Sequence, residues 1–389
     1  MKIGFFVTQV ASAPGYENNV SAHVQLPLHT MKLLIDAGHT VQLITNEYDK
    51  NSTMPNCLPN GIAVIQVSDG RRRGNGFVMN VGYRKGLYPI KFLKQLMKLR
   101  KIVRNEKYDL LHFFGSNRMA YLAGLMSLMG AKIPLILTIN TGRFPERFWF
   151  AKRWLWKRID LTITSTEYFK RRCEAHGIRT EILKHGVVRN INDGMGRISS
   201  IHRHRVLFWR DPSWENGADI CLKIYSQLAP KYPHINFDLA VRHHWAPVPG
   251  LLETCEMYPN VNYYEFPYEH GISLSELLFK SICVLLPFRE LSTHPQFSVM
   301  ESMIASVAVV TSDLDSNCEL INDAENGYLV PTGDVKEAMA RIEELLIDRK
   351  KAVEIGEKAA EYIKLNWNWD NYVKDLEDKY NRLIGMKSK

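Results

Sequence analysis

The residues best equipped for chemistry lie between positions 284 and 334, VLLPFRELSTHPQFSVMESMIASVAVVTSDLDSNCELINDAENGYLVPTGD. A polar loop at 287–296, with Thr293, His294 and Gln296, is followed by Phe297 and Ser298, and Glu301 comes one helical turn later. The amino terminus of a helix presents free N–H groups, which favour an anion or a polar hydroxyl nearby. A second cluster, Arg242-His243-His244, closes the strand expected at 236–241. Such a cluster at a strand's carboxyl end suits a binding site better than a structural role. It offers no third ligand at metal spacing, so no metal site is expected. His112 lies within another apolar run, 110–114, where a lone histidine is more often a satisfied structural residue than a substrate contact.

These groups need strands and helices to hold them. Residues 283–286 and 308–311 read as buried strands and 297–306 as the helix between them. A strand, helix and strand in that order imply a parallel pair with a right-handed crossover. In open α/β sheets ligands lie beyond the carboxyl ends of the strands, which places the 289–296 loop and Glu301 toward a ligand. The first half alternates in the same way, with strands expected at 2–8, 40–45, 110–114, 135–140, 161–164 and 181–183. A helix over 20–37 ends at Gly38, the residue suited to a left-handed cap. Another, over 91–104, turns Phe92, Leu93, Leu96, Leu99 and Val103 to the sheet and leaves Lys94, Lys98, Lys101 and Arg104 outside. The polar stretch 190–205 reads as a linker. Strands at 206–209, 236–241 and 260–266 and helices at 274–280, 335–347, 351–365 and 367–383 complete the pattern.

A chain of 389 residues exceeds one ordinary core, and two domains are expected. No run of 18 apolar residues occurs, so no transmembrane helix is expected. Six cysteines lack CxxC spacing, which fits reduced thiols in a cytoplasmic protein. Charge is uneven. Residues 1–200 hold 30 Lys and Arg against 13 Asp and Glu, and the rest hold 20 against 28, so the halves carry about +17 and −8. Residues 143–158, RFPERFWFAKRWLWKR, mix large aromatics with basic side chains. That mixture suits the headgroup level of an anionic membrane, or rings that cover a sheet. No nucleic-acid-binding motif accompanies it, and no nucleic-acid partner is expected.

The run from Phe297 to Asp334 resembles the donor-binding half of retaining GT-B glycosyltransferases of the family-4 type. Glu301, Met303, Asp313, Glu319, Asn326, Gly327 and Gly333 fall in register with that family's pattern. The first acid of its Glu-x7-Glu signature falls on Thr293. AGHTVQLIT (37–45), YDLLHFFGS (108–116) and ILKHGVV (182–188) resemble the family's first domain.

The resemblance implies two facing Rossmann-like, doubly wound parallel-sheet domains with a cleft between them. The first domain is expected over 1–190, with a last helix from 367 to 389 packing back on it, and the donor-nucleotide-binding domain over 204–366. It implies transfer of a sugar from a nucleotide diphosphate sugar to a glycan or lipid-linked acceptor, with retention and without metal or other cofactor. Cell-surface polysaccharide or glycolipid synthesis is the implied setting, with contact to the cytoplasmic face of a membrane. Arg210 stands where the family's Arg holds the donor phosphates, Asn216 where its Lys is expected, and Arg242 and His243 nearby. Gly15 and Asn19 lie in the loop where a glycine pair approaches the diphosphate. Glu301 would hold the ribose, the 293–298 loop would meet sugar and phosphates, and His112 would face substrate. With Asn19, Asn216 and Thr293 departing from the pattern, a non-catalytic GT-B subunit or scaffold is the alternative.

Overall fold

The structure is a computed structural model that describes residues 1–8, 10–11, 14, 17, 22–46, 52–67, 89–115, 117–141, 149–188, 203–242, 248–266 and 272–387. The chain divides into two compact units, residues 1–184 with 370–389, and residues 185–369.

The first unit is built on seven parallel strands, β1 (Lys2–Val7), β2 (Thr40–Asn46), β3 (Ala63–Val67), β4 (Leu110–Phe114), β5 (Leu135–Thr138), β6 (Leu161–Thr164) and β7 (Thr180–Ile182), in the order β3-β2-β1-β4-β5-β6-β7. LLHFF in β4 and LILT in β5 are buried throughout. Such unbroken burial is what a parallel sheet covered on both faces requires. Helix α1 (Ala22–Asp36) joins β1 to β2, and Gly38 follows it at φ +86°. Helices α2 (Pro89–Glu106), α3 (Asn117–Leu128), α4 (Trp149–Trp156) and α5 (Glu167–Ala175) return the chain in the other direction along the sheet. Right-handed crossovers therefore put α2 to α5 together on one face. Leu96, Leu99, Met119, Leu122, Trp156 and Phe169 share one core there with Phe6, Phe113 and Leu137.

β3 is an addition to the strands expected from sequence. Its residues AVIQV are mostly half-exposed at the sheet edge, which leaves little apolar contrast to read. Leu93 is a correction. It is 52% exposed, beside Met97 at 59%, because Gln95, Leu96 and Leu99 take the inward positions of α2.

The second unit has six parallel strands, β8 (Arg205–Phe208), β9 (Asn236–Arg242), β10 (Val261–Phe266), β11 (Ser281–Leu286), β12 (Ala308–Ser312) and β13 (Tyr328–Val330), in the order β10-β9-β8-β11-β12-β13. Helices α6 (Ala218–Leu228) and α7 (Leu251–Met257), with α10 (Val335–Ile347), share one core with the sheet. Helices α8 (Leu274–Phe279), α9 (Phe297–Ile304) and α11 (Arg349–Asn366) share a second. Strand order reverses between the adjacent β8 and β11, and the loops leaving that pair diverge there. This is the crevice in which open α/β sheets bind ligands. The last helix, α12 (Trp369–Lys387), belongs to the first unit from residue 370 onward.

Candidate functional site

Arg210 follows β8 and the loop 287–296 follows β11, so both stand at the carboxyl ends of paired strands. Trp209 explains how this end is built. Its indole Nε1 donates to Ser302 Oγ at 3.0 Å, and Ser302 Oγ donates to the Ser298 carbonyl at 2.7 Å. The residue before Arg210 is thereby fastened to the helix that carries Glu301.

The two loops also lock to each other. The Arg289 N–H donates to the Glu215 carbonyl at 2.8 Å. Its guanidinium makes two hydrogen bonds to Asp219, at 2.5 and 2.8 Å, and lies 4.6 Å from the Trp214 ring centre. Burial pushes the Asp219 carboxyl up, but the hydrogen bonds and charge of Arg289 outweigh it and hold the carboxyl below its usual range. Asn216 folds the same loop from within, its amide donating to the Asp211 carbonyl at 3.0 Å and to Ser213 Oγ at 3.1 Å.

The third strand end joins through His294. Its Nδ1 lies 3.0 Å from Ser316 Oγ in the 3-10 helix Asp315–Glu319, which follows β12. Asn317 ties that short helix to Thr311 and to the Ser312 carbonyl, both at 3.1 Å.

At the start of α9, Gln296 occupies the cap position and makes no capping bond with its side chain. Thr293 Oγ1 donates to Gln296 Oε1 at 2.6 Å, which fixes the amide orientation. Gln296 Nε2 and Ser298 Oγ are both buried and have no hydrogen-bond partner among the described residues. An unsatisfied buried polar atom costs about 1–3 kcal/mol, a cost that a bound polar ligand removes. Glu301 is 4% exposed on the same helix. The Phe297 ring stacks on that of His185, with centres 5.1 Å apart.

The structure thus gathers Arg210, Asn216, Thr293, His294, Gln296, Ser298 and Glu301 around the loops and helix ends of one switch point. Arg242 closes β9, the neighbour of β8, while its side chain lies outside the described residues. Gly15, Asn19 and His243 lie outside them too. Asp219 and Trp209 escape a reading of the sequence, as does the bracing role of Arg289 at the start of the expected loop. Each works through a partner about 70 to 93 residues distant, and no local pattern announces such a pair.

His112 sits elsewhere. It is fully buried in the first unit, with Nδ1 2.6 Å from the Tyr380 hydroxyl and Nε2 2.8 Å from Thr138 Oγ1. Both ring nitrogens are spent on joining α12 to β4 and β5, which supports the structural reading of this residue. Burial lowers its pKa from 6.5 to about 3. Between those values the unfolded chain binds a proton that the folded chain refuses, so stability falls as pH drops through that window. Going from pH 7 to 5 is expected to cost about 2 kcal/mol at this residue. Urea midpoints at both pH values test this: His112→Asn should be less stable at pH 7 and lose less on acidification. An unchanged pH difference would remove His112 as the cause.

Among the described residues no cluster of histidine, cysteine and carboxylate side chains could hold a metal ion, and no helix is long and apolar enough to cross a membrane.

Residues 28–189 match the family described as Glycosyltransferase Family 4, and residues 269–362 match Glycosyl transferases group 1. An uncharacterized glycosyltransferase of Methanocaldococcus jannaschii is 29% identical over 87 residues, a match spanning 22% of this chain and 22% of that protein. Sucrose-phosphate synthase from Thermosynechococcus elongatus superposes with a TM-score of 0.74 at 13% identity, covering 99% of this chain and 100% of that one. HepE of Anabaena, crystallised with UDP-glucose, superposes at 0.72 with 16% identity over 98% and 100% of the two chains. These structural likenesses establish the architecture, and the matches to both halves establish the kinship. The chain belongs to the GT-B glycosyltransferases of the family-4 type.

Proposed function

We propose that the protein transfers a sugar from a nucleotide diphosphate sugar to a glycan or lipid-linked acceptor, with retention of configuration and without a metal. The observation that carries this reading is the unsatisfied pair Gln296 Nε2 and Ser298 Oγ at the uncapped start of α9. Together with Arg210 they offer hydrogen bonds and positive charge to a pyrophosphate. Donors held rigidly where negative charge develops lower the barrier to its departure, and this is commonly the largest single term in catalysis. The bound UDP-glucose of HepE supports a donor of this class. Thr293 is engaged with Gln296 and offers no carboxylate to attack the sugar, so the reading places leaving-group stabilisation before covalent catalysis. Glu301 is assigned to the ribose hydroxyls. The basic first unit suits an anionic or lipid-linked acceptor in cell-surface polysaccharide or glycolipid synthesis, at the cytoplasmic face of a membrane.

A panel of nucleotide sugars tests it, read by slow donor hydrolysis and by thermal shift. A ligand at one hundred times its Kd adds about 2.7 kcal/mol of stability, a shift of several degrees. One donor class is expected to raise Tm and to be hydrolysed, and NMR of the transferred sugar should show the donor's anomeric configuration kept. Binding without hydrolysis or transfer would support the scaffold alternative. No binding by any nucleotide would remove the site assignment, and inversion would remove retention.

A further inference from the structure

The outer side of the α2–α3–α4 layer has no role in the donor site, and its composition is one-sided. In α4 the inward residue is Trp156, fully buried with Nε1 donating to Thr162 Oγ1 at 3.0 Å. Gly124 of α3 admits α4 closely, since a Cβ there would lie 2.3 Å from the Leu155 carbonyl oxygen. Seated this way, α4 turns Phe150 and Trp154 outward, 86% and 49% exposed. They are four residues apart and so lie on one stripe. Arg158 continues it, its guanidinium 4.1 Å from the Trp154 ring centre, and Lys157 is exposed beside it.

The same layer continues through α3 and α2. Leu128 of α3 and Leu93 and Met97 of α2 are exposed, and Lys94, Lys98, Lys101 and Arg104 of α2 are exposed with them. Helices α3 and α4 contain no acidic residue. The one acid of α2, Glu106, is held by Lys2 at 2.8 Å. On these three helices the outward aromatic and aliphatic side chains thus share their surface with many basic residues and with no acid besides Glu106.

We infer that this face docks on an anionic lipid surface, with Phe150, Trp154, Leu93 and Met97 entering the headgroup boundary and the surrounding Lys and Arg meeting lipid phosphates. Charge complementarity selects the anionic surface, and the aliphatic members select a membrane over nucleic acid. Rings stack on bases, whereas Leu and Met gain by leaving water for acyl chains. The inference names the surface behind the lipid-linked acceptor reading. Its test reads binding, so it stands or falls separately from donor chemistry.

The experiment is co-sedimentation of the full chain with vesicles of phosphatidylcholine alone or with one-third phosphatidylglycerol, at low and at physiological salt. Binding is expected to the anionic vesicles and to weaken with salt. Lys94→Gln and Lys101→Gln should each weaken it about fivefold. Phe150→Ala and Trp154→Ala should weaken it by about tenfold each, with Tm unchanged and a blue shift of tryptophan emission lost in Trp154→Ala. Equal binding to both vesicle types, binding untouched by these variants, or single-stranded RNA bound in place of vesicles would overturn the proposal.

Discussion

Arg210→Ala is expected to lower kcat/KM for the nucleotide sugar by about 10²–10³-fold while Tm stays within a few degrees of wild type. Arg210 follows the carboxyl end of β8, whose neighbour β11 leads into the 287–296 loop, and a departing diphosphate held there would gather charge. Losing one preorganised donor to a developing anion costs about 2.7–4 kcal/mol of barrier, hence the size of the effect. Arg210→Lys should recover part of the rate, since it restores charge without the two-pronged geometry. The fold should survive, because Trp209 holds this strand end to α9 through Ser302. Glu301→Gln, close in volume, should act differently, raising the donor KM by about tenfold or more with a smaller change in kcat. A carboxylate that accepts ribose hydroxyls contributes to ground-state and transition-state binding alike. Full activity in both variants, measured by steady-state kinetics, would sink the site.

Gly217→Ala should strike stability and turnover together. Gly217 lies at φ +76°, and a Cβ there would sit 1.9 Å from the Pro287 carbonyl oxygen and 2.8 Å from its carbonyl carbon. Pro287 cannot yield cheaply. It follows β11 directly, and the next turn is tied back by the bond from Arg289 N–H to the Glu215 carbonyl. The left-handed backbone alone costs alanine about 1–2 kcal/mol, and separating the two loops brings the total to about 3 kcal/mol. For a unit of this size that is a fall in Tm of roughly 6–12 °C. Because the loops that part carry Arg210 and Thr293, kcat/KM should drop about tenfold or more. Gly250→Ala is the control. It has φ +85° with nothing within 4 Å of its Cβ, so it should lose only the conformational term. Equal losses at both glycines would mean that the contact between the loops is unimportant.

Much of this architecture could be read along the chain. Short apolar runs such as LLHFF and SICVLL stay apolar because both faces of a parallel sheet are covered, so their periodicity survives without any knowledge of neighbours. Gly38 ends its helix for a reason local to its own backbone. Glu301 could be placed one turn into α9 by counting alone. The edge strand β3 escaped because half-exposed residues lose that contrast. Leu93 was turned the wrong way because α2 packs through Gln95 as well as through leucines, a polar choice that periodicity does not foresee.

The amino-acid sequence by itself determined two parallel α/β units and the kinship of the chain, since both follow from spacing within tens of residues. Only the tertiary structure decided that His112 is a joint to Tyr380, that Asn216 braces its own loop, and that Trp209 and Arg289 bind the two halves of the site together. It also decided which polar atoms at the start of α9 remain unsatisfied. Whether a side chain is spent or available depends on partners that folding brings together across the chain, and that is a property of packing rather than of order.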